Sequence, residues 1–98
     1  MISAVIITYN EERIIARSID SLKSVVDEVI IVDSFSTDRT IEICKEKGAV
    51  VWQNKFEGYK TQKHFAATKA KHEWILSVDA DEVLSNELIN SLLKWRKN

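Results

Sequence analysis

Two stretches, Ser3-Ala4-Val5-Ile6-Ile7 and Glu28-Val29-Ile30-Ile31-Val32-Asp33, carry continuous cores of β-branched and apolar residues with no polar alternation. A strand with one wet face alternates in polarity, whereas a run apolar at every position has both faces covered. Ala49-Val50-Val51-Trp52 and Trp74-Ile75-Leu76-Ser77-Val78 are shorter runs of the same character. Segments of helical period separate them. Within residues 11–25, Ile15, Ile19 and Leu22, with Val26 just beyond, fall at spacings of 4, 3 and 4, which is one face of a helix. Ile41 and Cys44 mark the inward face of a second helix, which Ser36-Thr37-Asp38 can cap; Lys45 and Lys47 suit its last turn and Gly48 a left-handed end. Residues 59–71 form a third helix with Phe65, Ala66 and Ala70 inward, and Ser85 or Asn86 caps a fourth that carries Leu88, Ile89, Leu92, Leu93 and Trp95.

The order βαβαβαβα predicts an α/β fold: a doubly wound parallel sheet with helices on both faces. Right-handed crossovers leave few topologies, and the order 3-2-1-4 is the one expected. Ligands of such sheets sit beyond the carboxyl ends of the strands where the order reverses, here between strands 1 and 4.

With 98 residues, 45% of them hydrophobic and 30% charged, the chain suits one ordered domain, spanning 1–98, with a modest core. A formal net charge of −1 gives no basic field for nucleic acid. Lys55, Lys60, Lys63, Lys69 and Lys71 cluster, and read mainly as a solvated helix face. Cys44 is the only cysteine and sits at an inward helical position, so a buried, inert thiol is expected. The absence of a disulfide framework or a secretory leader points to the cytoplasm, the inner face of the membrane included.

Acids collect at the predicted strand ends. Strand 1 runs into Thr8-Tyr9-Asn10-Glu11-Glu12, strand 2 ends in Asp33-Ser34, and strand 4 runs into Asp79-Ala80-Asp81-Glu82. Two unit charges ~4 Å apart repel by about 1 kcal/mol in water and roughly 4 kcal/mol near a protein surface. Carboxylate oxygens are hard ligands, and a divalent cation, Mg²⁺ or Mn²⁺, would offset that repulsion while binding a diphosphate. Glu82 is either a further ligand or the acidic start of the last helix, and Glu12 suits the first turn of its own helix.

Several of these pieces in register resemble family 2 glycosyltransferases of the GT-A fold. Val5-Ile6-Ile7-Thr8-Tyr9-Asn10-Glu11-Glu12 is similar to the family's opening strand and turn, and Val32-Asp33-Ser34-Phe35-Ser36-Thr37-Asp38-Arg39-Thr40 to its second strand-to-helix motif. Lys63 stands sixteen residues before Asp79, where the family commonly has a basic residue, and Asp79-Ala80-Asp81 resembles its D-x-D. The Asp79-Ala80-Asp81-Glu82 form is similar to a subset that acts on lipopolysaccharide core and related surface glycans.

The resemblance implies a Rossmann-like, nucleotide-sugar-binding half of the GT-A fold and roles for its residues. Thr8, Tyr9 and Glu11 would line the base and ribose pocket, with Tyr9 either stacking on uracil or simply packed. Asp33 would accept from a base N–H, Lys63 would lie near the diphosphate or base, Asp79 would meet the ribose or a metal-bound water, and Asp81 would ligate the metal. The donor would be a UDP-sugar and the acceptor a glycan or lipid-linked molecule. An inverting transfer needs a general base that the family supplies downstream of D-x-D, and this chain extends sixteen residues beyond Glu82. The acceptor-binding half is therefore expected to be absent, and transfer by this chain alone to be weak or nil. A homodimer through the strand 4 edge or the Leu92–Trp95 helix face is expected, with peripheral membrane contact. The alternative from another class is a non-catalytic module that binds a nucleotide sugar or a protein.

Overall fold

All strands of the single sheet run parallel, in the order β3-β2-β1-β4. The computed structural model describes residues 1–97. Its elements are β1 (Ile2–Thr8), α1 (Ile15–Leu22), β2 (Glu28–Asp33), α2 (Thr40–Glu46), β3 (Val50–Gln53), α3 (Tyr59–Lys69), β4 (Trp74–Ser77) and α4 (Asn86–Lys97). The doubly wound α/β fold and the strand order expected from the sequence are both present.

The pleat divides each central strand between two cores. Ala4 and Ile6 of β1 and Ile31 of β2 join Ile15, Ile19 and Leu22 of α1 and Cys44 of α2, with Ile89 and Leu92 of α4 packed on the margin. Val5, Ile30 and Val32 face the other way, against Ala66 of α3 with Phe65 and Ala70 beside it. One face thus carries α1, α2 and α4, and the other α3. Ile6, Ile15, Ile19, Leu22, Ile30 and Ile31 are all buried, each contributing on the order of 1.5–3 kcal/mol of transfer free energy.

Register sets the rim. Thr8 pairs with Asp33 across β1 and β2, Asp33 with Gln53 across β2 and β3, and Val5 with Ser77 across β1 and β4. The Val78 amide extends the last ladder by donating to the Val5 carbonyl at 3.0 Å. The segments after β1, β2 and β4 therefore leave the sheet at one end.

Helix boundaries depart from the sequence reading where other loops capture the backbone. The first helix starts at Ile15 rather than at residue 11: residues 12–14 form a turn, with Ile14 N and Ile15 N both donating to the Glu11 carbonyl (3.1 and 3.0 Å), while the Glu11 and Glu12 amides donate to Thr40 Oγ1 (2.8 Å) and Asp38 Oδ2 (3.2 Å). It is over at Leu22, short of residue 25. The third helix stops at Lys69 because Ala70 is extended and the Lys71 amide turns to Glu28 Oε2 at 2.7 Å. Within Ser36-Thr37-Asp38, only Asp38 accepts a helix-start amide, from Thr40 at 2.9 Å. Ser36 and Thr37 instead hold the loop after β1.

The expected helix ends at Gly48 and Ser85 stand as read. The α2 end is closed by Gly48 at φ +84, with Ala49 N donating to Cys44 O and Gly48 N to Lys45 O, a Schellman pair. Ser85, not Asn86, caps α4, accepting from Leu88 N at 3.1 Å. Trp52 and Trp74 lie at the rim, both more than a third exposed, and Trp74 meets Trp95 edge to face at 5.2 Å.

Candidate functional site

The end of β2 supplies the anchor. Asp33 is fully buried; its Oδ1 accepts from Thr8 Oγ1 (2.7 Å) and Ser36 Oγ (2.6 Å), and its Oδ2 from Ser36 N (2.7 Å). A buried carboxylate is tolerable only when its lone pairs are taken up in this way. The loop after β2 then grips the loop after β1. Ser36 Oγ accepts from Asn10 N (2.8 Å), and Thr37 N donates to Asn10 Oδ1 (2.8 Å). Asn10 and Phe35 both adopt left-handed backbone, at φ 52 and 58. Asn tolerates that region, but for Phe it costs energy that the surrounding structure must hold in place.

Above the carboxyl end of β1 lies a cavity of about 470 Å³, lined by Ile7, Thr8, Tyr9, Glu11, Ser34, Phe56 and Tyr59. Phe56 and Tyr59 meet edge to face at 5.1 Å and are largely exposed, as is Tyr9. The lining is thus mainly aromatic and apolar, with Thr8, Glu11 and Ser34 among its polar residues.

The acidic segment after β4 is oriented by burial. Val78, Ala80 and Leu84 are buried, which sends the side chains of Asp79 and Asp81 to the exposed side. Helix α1 holds the segment down: the Ser18 hydroxyl donates to the Glu82 carbonyl, and Ser21 Oγ accepts from Leu84 N at 3.1 Å. Glu82 turns its carboxylate back to Asp79 N at 3.2 Å. Burial, then the charges of Asp81 and Asp38, push the Glu11 carboxyl above its ordinary value. Glu11 and Asp81 therefore share a field across the β1/β4 switch point.

Among the described residues, no group of three or more Asp, Glu, His or Cys side chains could enclose a metal ion. The donor set nonetheless fits a hard divalent cation held by one or two carboxylates, with the remaining positions taken by water and ligand phosphate. Asp79 and Asp81, both exposed on the loop after β4, are carboxylates that could hold it.

The site residues expected from sequence are distributed unevenly. Thr8, Tyr9 and Glu11 line the cavity. Asp33 is buried and is not in the cavity wall; with two bonds on Oδ1 and one on Oδ2, its carboxylate keeps one acceptor position open. Lys63 is exposed, one turn along α3 from Tyr59, and is not in the cavity wall. Asp79 and Asp81 stand on the exposed side of the neighbouring loop. Sequence reasoning missed Ser34 as a lining residue, along with Phe56, Tyr59 and the buried Gln62. The aromatic pair flanking Gly58 just before a helix was the available signal for two of these.

Residues 3–98 match the model of Glycosyl transferase family 2. The chain belongs to that family. An uncharacterised glycosyltransferase of Rickettsia bellii is 54% identical over 87 residues, covering 89% of this chain and 30% of its own length. The lipopolysaccharide core biosynthesis glycosyltransferase LpsC of Rhizobium meliloti is 37% identical over 92 residues, covering 89% of this chain and 34% of its own. Among solved structures, S. aureus TarS 1–349 superposes with a TM-score of 0.75 at 25% identity over 98% of this chain and 32% of that one. Glucosyl-3-phosphoglycerate synthase from Mycobacterium tuberculosis, in complex with Mn²⁺, UDP and phosphoglyceric acid, gives 0.75 at 27% identity over 85% of this chain and 34% of that one. Both family 2 resemblance and GT-A architecture follow from these matches. The chain spans about a third of the length of these relatives. No described helix is long and apolar enough to cross a membrane.

Proposed function

We propose that this chain binds the donor of a family 2 glycosyltransferase, a UDP-sugar, together with a divalent cation. The observation that carries this reading is the aromatic-walled cavity at the end of β1, set beside an acidic loop whose Asp81 is felt by Glu11 across the switch point. The M. tuberculosis synthase crystallised with UDP and Mn²⁺ lends it support.

In this reading Tyr9 stacks on the uracil, while Thr8 and Glu11 face the base and ribose. Asp33 fixes Thr8 and Ser36 and, with its remaining acceptor position, takes a base N–H. Lys63 and Asp79 flank the diphosphate and ribose, and Asp81 holds Mg²⁺ or Mn²⁺. When bound, such a cation would stabilise charge on the departing nucleoside diphosphate. The transfer itself, to a glycan or lipid-linked acceptor with inversion, needs a positioned base, for which the described residues offer no assigned carboxylate. The outer edge of β4, with exposed Trp74 and Ile75, is the surface on which a second copy would pair.

The test is calorimetric titration with UDP, UDP-glucose and GDP-mannose, each with and without Mn²⁺. Metal-dependent preference for the uridine ligands, lost in Asp81→Ala, is the expected result. Equal affinity for all three, or no dependence on metal, would overturn it. Acceptor-dependent release of UDP would separate an enzyme from a binding module.

A further inference from the structure

Gln62 is polar yet fully buried on α3, and its carboxamide bonds converge on the ends of β2 and β3. Its Oε1 accepts from Asn54 Nδ2 at 3.0 Å, while its Nε2 donates to the Asn54 backbone carbonyl at 3.2 Å and to Ser34 Oγ at 3.1 Å. The Asn54 carbonyl can only accept, so the amide nitrogen must face it, and the orientation of Gln62 is fixed. Both Nε2 hydrogens are then engaged, and Ser34 Oγ is held as an acceptor. A serine hydroxyl has one hydrogen to give. Among the described residues no acceptor takes it, and Ser34 lines the cavity.

We infer that the Ser34 hydroxyl, oriented by Gln62, is a specificity-determining donor aimed at the 4-keto oxygen of a uracil base. The inference rests on the donor-binding reading above and adds the group that selects the base. No Lys or Arg lines the cavity, whereas Ile7, Tyr9, Phe56 and Tyr59 do, so the site suits a flat neutral ring better than a phosphate. Uracil offers a carbonyl where cytosine offers an amino group. The amino group could use the remaining lone pair of Ser34, but the hydroxyl hydrogen would then be buried with no acceptor. Unmet polar groups discriminate more strongly than missing contacts. Gln62 is a positioning residue in this scheme, since it touches Ser34 and not the ligand.

The experiment titrates the 98-residue chain with UDP and with CDP at constant Mn²⁺, for the unmodified protein, Ser34→Ala and Gln62→Glu. The unmodified chain should prefer UDP by about tenfold, the discrimination expected of roughly one hydrogen bond with its unmet alternative. Ser34→Ala should lose most of that ratio through weaker UDP binding. Gln62→Glu places an acceptor against Ser34, turns its hydrogen inward and should lower the UDP-to-CDP ratio with Ser34 still present. Circular dichroism establishes that each variant is folded, and Ser34→Ala decides the matter if Gln62→Glu is not. UDP binding with an unchanged ratio in folded Ser34→Ala would overturn the inference and leave the donor reading intact. An unchanged ratio in folded Gln62→Glu would overturn the positioning role. A chain that binds neither nucleotide would overturn both readings.

Discussion

The Thr8 hydroxyl donates to the Asp33 carboxylate at 2.7 Å, and both side chains are buried where β1 and β2 lie in register. Asp33 also accepts two bonds from Ser36, so one carboxylate fastens the floor of the cavity and the loop beside it. Removing it strands three donors. Asp33→Ala should cost about 2–4 kcal/mol in urea denaturation, within the range for breaking a buried network. A cost below about 0.5 kcal/mol, the scale of an ordinary surface change, would show that the network is not structural.

The acidic loop depends on α1. Ser18 is fully buried and its hydroxyl meets the Glu82 carbonyl, while Ser21 takes the Leu84 amide and donates to Ser18 O at 2.7 Å. Ser18→Ala removes one bond and leaves a carbonyl unpaired, for a cost of about 1–2 kcal/mol. The more telling readout is local. Hydrogen exchange at the Leu84 amide should accelerate more than exchange in β1 and β2. Uniform acceleration would mean that the loop is not held separately.

Glu11 gives a pH dependence of defined sign. Burial and the charges of Asp81 and Asp38 raise its folded-state pKa above its ordinary value, so the fold favours the protonated form. That contribution is complete below the unfolded value near 4.5 and is lost as pH rises through the folded value. Glu11→Gln should therefore raise Tm at pH 7, by about 1–3 °C for a domain this small, with the gain shrinking as pH falls toward 4.5. A lower Tm for the variant at pH 7 would contradict the charge assignment.

Cys44 should be silent in the native protein. It is fully buried, and burial together with the nearby Asp33 charge pushes its thiol up to about 12. Since the thiolate is the reactive form, a disulfide reagent at pH 8 should react slowly with folded protein and rapidly after unfolding in urea. Equal rates would place the thiol at the surface.

The sheet was legible because its signal is coarse. Val5 and Ile6, or Ile30 and Ile31, are buried on both faces as a covered parallel sheet requires, and the helical spacings between the runs leave few topologies. The acids at the strand ends were legible for the same reason, since a strand end fixes where the next residues go. What stayed hidden depends on contacts between loops. Nothing near residue 11 announces that its amide will meet Thr40, or that residues 12–14 will form a turn before α1 begins at Ile15. Phe35 at φ 58 breaks the local rule for a bulky residue, and only the grip of neighbouring loops sustains it. Gln62 reads as a surface residue in a charged helix, and its burial follows from facing Asn54 and Ser34 across space.

The convergence of the loops after β1 and β4 on one cation-bridged ligand is tested most directly by paramagnetic broadening. Amide resonances of the labelled chain would be followed while Mn²⁺ is added at low ratio, with and without UDP. The expected result is selective loss of the Tyr9, Glu11 and Asp81 signals together, much stronger with UDP present and absent in Asp81→Ala. Broadening confined to one loop, or spread over surface acids such as Asp20 and Glu42 regardless of UDP, would contradict it.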